Sequence, residues 1–197
     1  SMVGMYNGPD SYQMLAMAKE MALFYDLPDF NYGGHSDSKC IDLQAATEAA
    51  MSIFQIGIKG GNLNHDVGYM ESGMSHALPM VVLCDEIIGQ TRHFKKKPEI
   101  TEEALALDVI HDVGPAGNLT NNKHTFRNFK KIWYGTVFDA RIFQAWEKDG
   151  SKPLQTVLTE KVKKILETHQ PEPLEAGITE QIEEILKKAA ENIKTTE

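Results

Sequence analysis

The chain contains little cysteine and no excess of positive charge, and both shortages exclude classes of protein. Cys40 and Cys84 are its only cysteines, and their spacing forms no metal-binding pair, so we expect two reduced thiols in a cytoplasmic protein. The formal net charge of −8 argues against a nucleic-acid partner, which would require clustered positive charge. The one basic run, residues 95–97, is interpreted as a solvated helix end.

Long apolar runs and several common catalytic motifs are also missing. No stretch approaches the length of a membrane span and no signal peptide is visible, so no membrane partner is predicted. The sequence contains no Gly-x-Ser-x-Gly elbow, no Gly-x-Gly-x-x-Gly fingerprint and no P-loop. These absences disfavour a Ser–His–Asp hydrolase and the common nucleotide-binding proteins.

What the chain does contain is an alternation of strand-like and helix-like segments. Apolar residues recur with a helical period after Pro9 as far as Tyr25, on a face that includes Met14 and Met21. Short strands are predicted at residues 3–6, 29–32 and 62–65. Further helices are predicted at residues 41–58 and from Ser75 or His76, as the cap, to Thr91. This βα repetition predicts an α/β fold, either a doubly wound sheet or a (β/α)₈ barrel.

Beyond Pro98 the pattern is helical. Thr101 is predicted to cap a helix that ends near His111. The remaining helices are predicted at residues 122–133, 140–148, 155–168 and 178–193. Residues 150–153 indicate a boundary, so we predict βα units over 3–150 and a C-terminal helical segment over 151–197. Because a complete (β/α)₈ barrel needs eight strands and only two or three are visible, the chain cannot be a whole barrel.

Polar, charged and aromatic residues concentrate in two glycine-rich loops, residues 33–39 and 64–72, each after a predicted strand. Helix capping by one of residues 36–38 and ordinary surface decoration would explain part of this pattern, but not five consecutive polar residues after Gly-Gly. Loops that follow strands commonly carry binding and catalytic residues. We therefore predict that both loops lie at the same end of neighbouring parallel strands and form one pocket. Its candidate residues are His35, Asp37, Lys39, Asp66, Tyr69 and Glu71.

The composition of the loops suits a quaternary ammonium ion. Such a cation has no N–H group to donate, so ring faces and carboxylates must stabilise it. Asp37, Asp66 and Glu71 offer negative charge, and Tyr32 and Tyr69 offer ring faces. The loops therefore predict a binding site for a methylated cation.

A divalent metal is the competing hypothesis for the same loops. Its ligands would come from His35, His65, Asp66 and His76. Their spacing matches no dense ligand motif, so we expect no metal site.

Several short motifs occur together over most of residues 10–150. They are Tyr25-Asp26-Leu27-Pro28, Gly33-Gly34-His35-Ser36-Asp37-Ser38-Lys39, Asp42 with Gln44, Gly60-Gly61-Asn62, Gly68-Tyr69-Met70-Glu71-Ser72-Gly73, Asp85-Glu86-Ile87, His124-Thr125, and Trp133-Tyr134 through Asp139 and Arg141. In this combination the sequence resembles the trimethylamine methyltransferase superfamily of corrinoid-dependent (β/α)₈-barrel enzymes, which includes glycine betaine methyltransferase. It resembles the C-terminal part of the family's polypeptide, and Ser1-Met2 resembles a protease-cleavage scar, so we expect a truncated chain.

The resemblance implies methyl transfer from a methylated amine to cob(I)alamin held by a small corrinoid protein. Trimethylamine enzymes of the family carry pyrrolysine, and none is written here, which favours the branch that acts on glycine betaine or a related betaine. A neutral amine leaves, so no general acid is needed, which agrees with loops that show no obvious acid–base dyad. Under this hypothesis the ammonium group is contacted or oriented by Asp37, Asp66, Tyr69 and Glu71, and a substrate carboxylate by His35 or Lys39.

Two other functions remain open at this point. The chain could be an inactive part of a barrel, or a metal-assisted barrel lyase or hydrolase. Part of a barrel leaves sheet edges and an inner face uncovered, and such surfaces pair with other chains. We therefore expect a homo-oligomer, and no turnover by this chain alone.

Overall fold

A computed structural model of the protein describes residues 7–194, and their side chains as far as residue 191. This part of the chain is rich in helices and contains two small sheets. The strand predicted at residues 3–6 lies outside the described residues. None of the helices described is long and apolar enough to cross a membrane.

The first sheet belongs to a single β–α–β unit. Strand β1 (Phe30–Tyr32) is followed by helix α2 (Leu43–Lys59) and strand β2 (Leu63–His65). The two strands are parallel and pair in register from first residue to last. Parallel strands joined through a helix are the repeating unit of α/β proteins, so the predicted fold class is supported at this level.

Helix α2 begins at a carboxylate cap and ends at a left-handed glycine. Asp42 accepts a hydrogen bond from the Ala45 amide at 2.9 Å, and Gly60 has φ of +77°. The alternative that a residue of 36–38 only caps this helix does not hold, because Asp42 is the cap and the hydroxyls of Ser36 and Ser38 donate to the side chains of Glu48 and Asp42. Ala45 and Ala49 are fully buried, so their small side chains let the helix pack closely in the core.

Helix α3 (Leu78–Phe94) packs against α2, and the two helices supply most of the apolar core. The prediction that Ser75 or His76 caps α3 is wrong: Ala77 is the N-cap, and it makes no side-chain cap bond. Ser75 and His76 instead form strand β4, which pairs antiparallel with strand β3 (Tyr69–Met70). Residues 69 and 70 of the predicted loop therefore belong to a short hairpin.

Helix α1 (Pro9–Phe24) has the predicted extent but is turned differently from the prediction. Met14 and Met21, expected on the packed face, are 66% and 50% exposed, whereas Lys19 is only 4% exposed. Lys19 is buried in an ion pair, since its ammonium group lies 2.7 Å from the Asp29 carboxylate just before β1. The buried ion pair therefore lies on the packed face of the helix, where the apolar pattern predicted methionines.

The rest of the chain is helical, as predicted. The helices are α4 (Glu102–Leu105), α5 (Leu107–Val113), α6 (Lys123–Asn128), α7 (Phe143–Lys148), α8 (Leu154–Thr168) and α9 (Ile178–Lys194). Thr101 caps α4 by accepting from the Ala104 amide at 3.1 Å, which confirms that prediction. The single helix predicted to run to His111 is broken at Ala106, whose φ is +50°.

The chain divides into two compact units between Lys163 and Lys164. In the first unit, Leu158 of α8 is fully buried and belongs to the same core as α2 and α3. In the second unit, α9 carries an ion pair between Glu184 and Lys188 at 2.7 Å. The domain boundary at residues 150 and 151 stays a prediction.

Candidate functional site

The two glycine-rich loops are joined to each other by backbone hydrogen bonds. The N–H groups of Gly68, Ser36, Glu71 and Ser72 donate to the carbonyls of Gly34, Tyr69, Ser38 and Ser36, at 2.8, 3.0, 2.9 and 3.2 Å respectively. Both loops leave the parallel strands β1 and β2 at their C-terminal ends. The prediction that they lie at the same end of neighbouring parallel strands is confirmed.

Gly34 lets the first loop approach the core closely. Its φ is +82°, and a Cβ there would lie 3.3 Å from both the Cys84 sulfur and the Ile53 Cδ1 atom. The Cys84 thiol donates to the Gly34 carbonyl at 3.1 Å. Burial raises the pKa of Cys84 to about 12, so this sulfur is a protonated structural donor and not a nucleophile.

Asp37 of the first loop is held from three directions. Its carboxylate accepts from the Asn7 amide N–H at 3.1 Å and from the Ser72 hydroxyl at 2.7 Å. The exposed Lys39 ammonium group donates to the Asp37 carbonyl at 2.8 Å. Asn7 and Ser72 come from separate parts of the chain, and together they fix the position of the half-buried carboxylate.

Glu48 of α2 was not among the predicted site residues, although it organises the first loop. Its Oε2 atom accepts from the Ser36 hydroxyl at 2.6 Å and from the Asp37 amide at 2.8 Å. A signal was present in the sequence: Glu48 falls on the helix face of the buried Ala45 and Ala49, where an apolar residue is the usual choice. A carboxylate within such a stripe needs a polar partner.

Tyr12 of α1 was also missed, and it faces the same carboxylates. Its hydroxyl donates to the Asn7 Oδ1 atom and to the Glu48 carbonyl, both at 3.4 Å. Burial, with the negative charges of Glu48 and Asp37, raises the pKa of Tyr12 to about 12. The phenol therefore stays neutral and acts as a hydrogen-bond donor.

Three aromatic rings, those of Tyr32, His35 and His65, gather where the two strands end, and Phe30 at the start of β1 stacks on one of them. The rings of Phe30 and His65 are stacked with centroids 4.5 Å apart, and Tyr32 lies 5.2 Å from His35 and 6.3 Å from His65. His35 is 2% exposed, and burial lowers its pKa despite the charges of nearby carboxylates. Its imidazole is therefore neutral at neutral pH.

Asp66 of the second loop pairs with its sequence neighbour. The His65 Nδ1 atom and the Asp66 Oδ1 atom are 2.6 Å apart, and both side chains are partly exposed. The prediction that the loops show no acid–base dyad is wrong in this respect. Spacing alone could not reveal the pair, because adjacent residues meet only when the backbone turns, here at Asp66 with φ of +68°.

Tyr69 and Glu71 lie on the outer side of the second loop. The Tyr69 ring packs edge-to-face on His76 with centroids 5.3 Å apart, and the Glu71 side chain is exposed. Their backbones join the first loop, so all six predicted residues lie in one connected pair of loops. Within residues 7–194, no three His, Cys, Asp or Glu side chains are grouped to hold a metal ion.

The described residues contain an α/β unit in which two polar loops join at the C-terminal ends of its parallel strands. A family model described as trimethylamine methyltransferase (MTTB) matches residues 3–193. The chain therefore belongs to the trimethylamine methyltransferase family.

Two similar proteins illustrate the range of this family. Glycine betaine methyltransferase of Desulfitobacterium hafniense (strain Y51) is 32% identical over 143 residues, which are 72% of this chain and 30% of the relative. Trimethylamine methyltransferase MttB of Methanosarcina barkeri (strain Fusaro / DSM 804) is 31% identical over 162 residues, which are 82% of this chain and 33% of the relative. The chain thus spans about a third of the length of the curated relatives it matches.

Proposed function

We propose that this protein serves the transfer of a methyl group from a quaternary amine, glycine betaine or a related betaine, to a corrinoid protein. The observation that carries the proposal is the joining of two loops that bring carboxylates and the rings of Tyr32, His35 and His65 to one end of parallel strands. Membership of the trimethylamine methyltransferase family supports the reaction class. Relatives named for glycine betaine and for trimethylamine match at similar identity, so the choice of substrate rests on the chemistry of the loops.

We also propose that the β–α–β unit is part of a (β/α)₈ barrel and corresponds to the C-terminal part of the family's polypeptide. The parallel, in-register pairing of β1 with β2 supports this, since barrels are built from such units. Active sites of barrels lie at the C-terminal ends of the strands. The two joined loops occupy that end of β1 and β2.

In this proposal each site residue has a role that its surroundings support. Asp37, Asp66 and Glu71 neutralise the ammonium charge, and the Tyr69 ring adds a face for its methyl groups. A substrate carboxylate would be met by His35 or Lys39. A buried neutral imidazole would donate one N–H group, whereas the exposed Lys39 would contribute a full charge.

For this methyl transfer, the loop residues need only bind the substrate and align it. The cob(I)alamin of a partner corrinoid protein would supply the nucleophile for the methyl group. The loops hold the cation, aim one methyl group toward the open end and limit the access of water. Because the electron pair of the broken C–N bond stays on nitrogen, a neutral tertiary amine leaves and no residue must donate a proton. The exposed Lys39, Tyr69 and Glu71 leave this end accessible to a protein partner.

The His65–Asp66 pair favours a second candidate, an acid–base lyase or hydrolase on the same scaffold. A metal-assisted version would predict stoichiometric metal in the purified protein, and the methyl-transfer proposal predicts none. Elemental analysis separates the two. Stoichiometric zinc that is required for turnover would favour the second candidate.

The experiment that tests the proposal is methylation of the reduced corrinoid protein by a panel of betaines, with trimethylamine as the comparison substrate. The whole protein is expected to use glycine betaine or another betaine and to prefer it to trimethylamine. No turnover of any quaternary amine, or a preference for trimethylamine, would overturn the substrate assignment.

A further inference from the structure

The last two residues of the second loop and the glycine that follows them have a left-handed backbone. The φ angles of Glu71, Ser72 and Gly73 are +53°, +54° and +91°. Residues other than glycine rarely adopt this conformation, which brings Cβ too close to the following carbonyl oxygen. Glu71 and Ser72 therefore make this turn strained, and it persists only if the surrounding contacts hold it.

The contacts that hold the turn come from the first loop. The Ser72 hydroxyl donates to the Asp37 carboxylate at 2.7 Å. The amides of Glu71 and Ser72 donate to the carbonyls of Ser38 and Ser36 at 2.9 and 3.2 Å. The Ser72 hydroxyl is the only one of these donors that a side-chain substitution can remove.

Strained backbone is concentrated at ligand sites, where it fixes the position of a functional group. Here the turn carries Glu71, and its Ser72 hydroxyl fixes Asp37. We propose that Glu71–Gly73 is a strained latch and that Ser72 is a positioning residue, which holds Asp37 ready for a cationic ligand. The cationic character of the ligand rests on the proposed function. The latch itself rests on the backbone and the hydrogen bonds alone.

Hydrogen–deuterium exchange of the ligand-free chain tests the latch. Ser72→Ala should speed exchange of the Glu71 and Ser72 amides by about tenfold or more. The Gly68 amide, which bonds to the same first loop before the turn, should be unchanged. Ser75→Ala is the matched control, because it removes an exposed hydroxyl three residues further along the chain.

A second substitution that removes backbone strain should restore the protection from exchange that Ser72→Ala loses. Glu71→Gly removes a Cβ from a left-handed residue, so in the Ser72→Ala background it should slow exchange of the Ser72 amide by about tenfold. Gly73→Ala should speed exchange of the Ser72 amide, because it places a Cβ on a residue whose φ is positive. That Cβ would meet no atom within 4 Å, so a steric clash with a neighbour would not contribute. The latch would be overturned if the Glu71 and Ser72 amides of Ser72→Ala exchanged within about twofold of their rates in the parent. It would also be overturned if adding Glu71→Gly to Ser72→Ala made the Ser72 amide exchange faster still.

The positioning role has its own readouts. The ¹³C resonance of the Asp37 carboxyl group should move in Ser72→Ala and stay in place in Ser75→Ala. The whole protein carrying Ser72→Ala should bind glycine betaine about tenfold more weakly. An unmoved resonance or unchanged affinity would overturn the role. The unsubstituted whole protein could fail to bind betaine while the amide exchange rates and the Asp37 resonance behave as predicted. That result would count against the proposed function alone.

Discussion

Two lysine–carboxylate pairs of this protein differ sharply in their surroundings. The side chains of Lys19 and Asp29 are 4% and 9% exposed, and Lys19 also donates to the Asn62 side chain at 3.1 Å. Burial alone would raise the pKa of Asp29, but hydrogen bonds from Lys19, Asn31 and Asn62 lower it overall. The pair between Lys59 and Glu20, at 3.1 Å, is largely exposed.

Lys19→Ala should therefore cost about 3–5 kcal/mol in the free energy of unfolding, because Asp29 is left buried without its cation. Lys59→Ala is the control and should cost less than about 1 kcal/mol. Urea unfolding measures both, and equal losses would contradict this account. Because the folded pKa of Asp29 is lowered, its stabilisation is present at neutral pH and is lost as the pH falls below about 4. Lys19→Ala should weaken this acid dependence.

Tyr69 tests the contribution of a ring face to the proposed site. Tyr69→Ala should lower the affinity of the whole protein for glycine betaine about tenfold, since a desolvated cation–π contact is worth roughly 1–2 kcal/mol. Tyr134→Ala removes an exposed ring outside the two loops and should leave the affinity unchanged. Titration calorimetry gives both values. Equal effects of the two substitutions would argue against a ring contact at Tyr69.

At the scale of elements, the sequence predicted a helix correctly where its apolar repeat packs against one neighbouring element. Helices α2 and α3 follow their apolar repeats, and the parallel pairing of β1 with β2 was expected from the βα order. The sequence did not predict the orientation of a helix where contacts between distant residues determine it. The rotation of α1 depends on Lys19 finding Asp29, which is ten residues away in sequence.

The same limit applies to the site. Both loops and their shared end were predictable because glycines and polar residues follow each strand. Glu48 was missed although its place in a stripe of buried alanines was a signal, and Tyr12 was not predictable because it meets Glu48 only through the packing of α1 on α2. The strands of the β3–β4 hairpin have two residues each, which is too short for an alternating apolar pattern to be detected in the sequence.

The packing of α2 on α3 depends on a glycine in the middle of α2. Alanine at position 57 would ordinarily favour the helix by about 1 kcal/mol. Here its Cβ would overlap the Cγ2 atom of the buried Thr91 on α3. Gly57→Ala should therefore lower the free energy of unfolding by roughly 1–3 kcal/mol.

A second substitution separates this clash from other effects of Gly57→Ala. Thr91→Ser removes only the obstructing methyl group and keeps the hydroxyl that donates to the Ile87 carbonyl at 2.9 Å. The double variant should recover most of the lost stability in urea unfolding. A single Gly57→Ala variant that is more stable than the parent would show that the helices have room to separate.

At the scale of the whole molecule, apolar side chains remain exposed on α1 and on the first sheet. Met14 and Met21 of α1 are largely uncovered, as are Phe30 of β1 and Leu63 of β2. Such surfaces, together with the open edges of a two-stranded sheet, favour association. We expect the isolated chain to self-associate, with an average mass in sedimentation equilibrium that rises with concentration. A stable monomer with a cooperative thermal transition would contradict this expectation.

The central claim is that the two joined loops form one site for a quaternary ammonium ion. A double-mutant cycle on glycine betaine affinity tests it most directly, with Asp37→Asn in the first loop and Asp66→Asn in the second. Asp108→Asn, an exposed carboxylate on α5, is the control. The account predicts that each loop variant weakens binding of betaine to the whole protein. It also predicts that the double variant departs from the sum by about 0.5 kcal/mol or more. Affinities that the loop variants leave unchanged, or losses that simply add, would contradict a shared site.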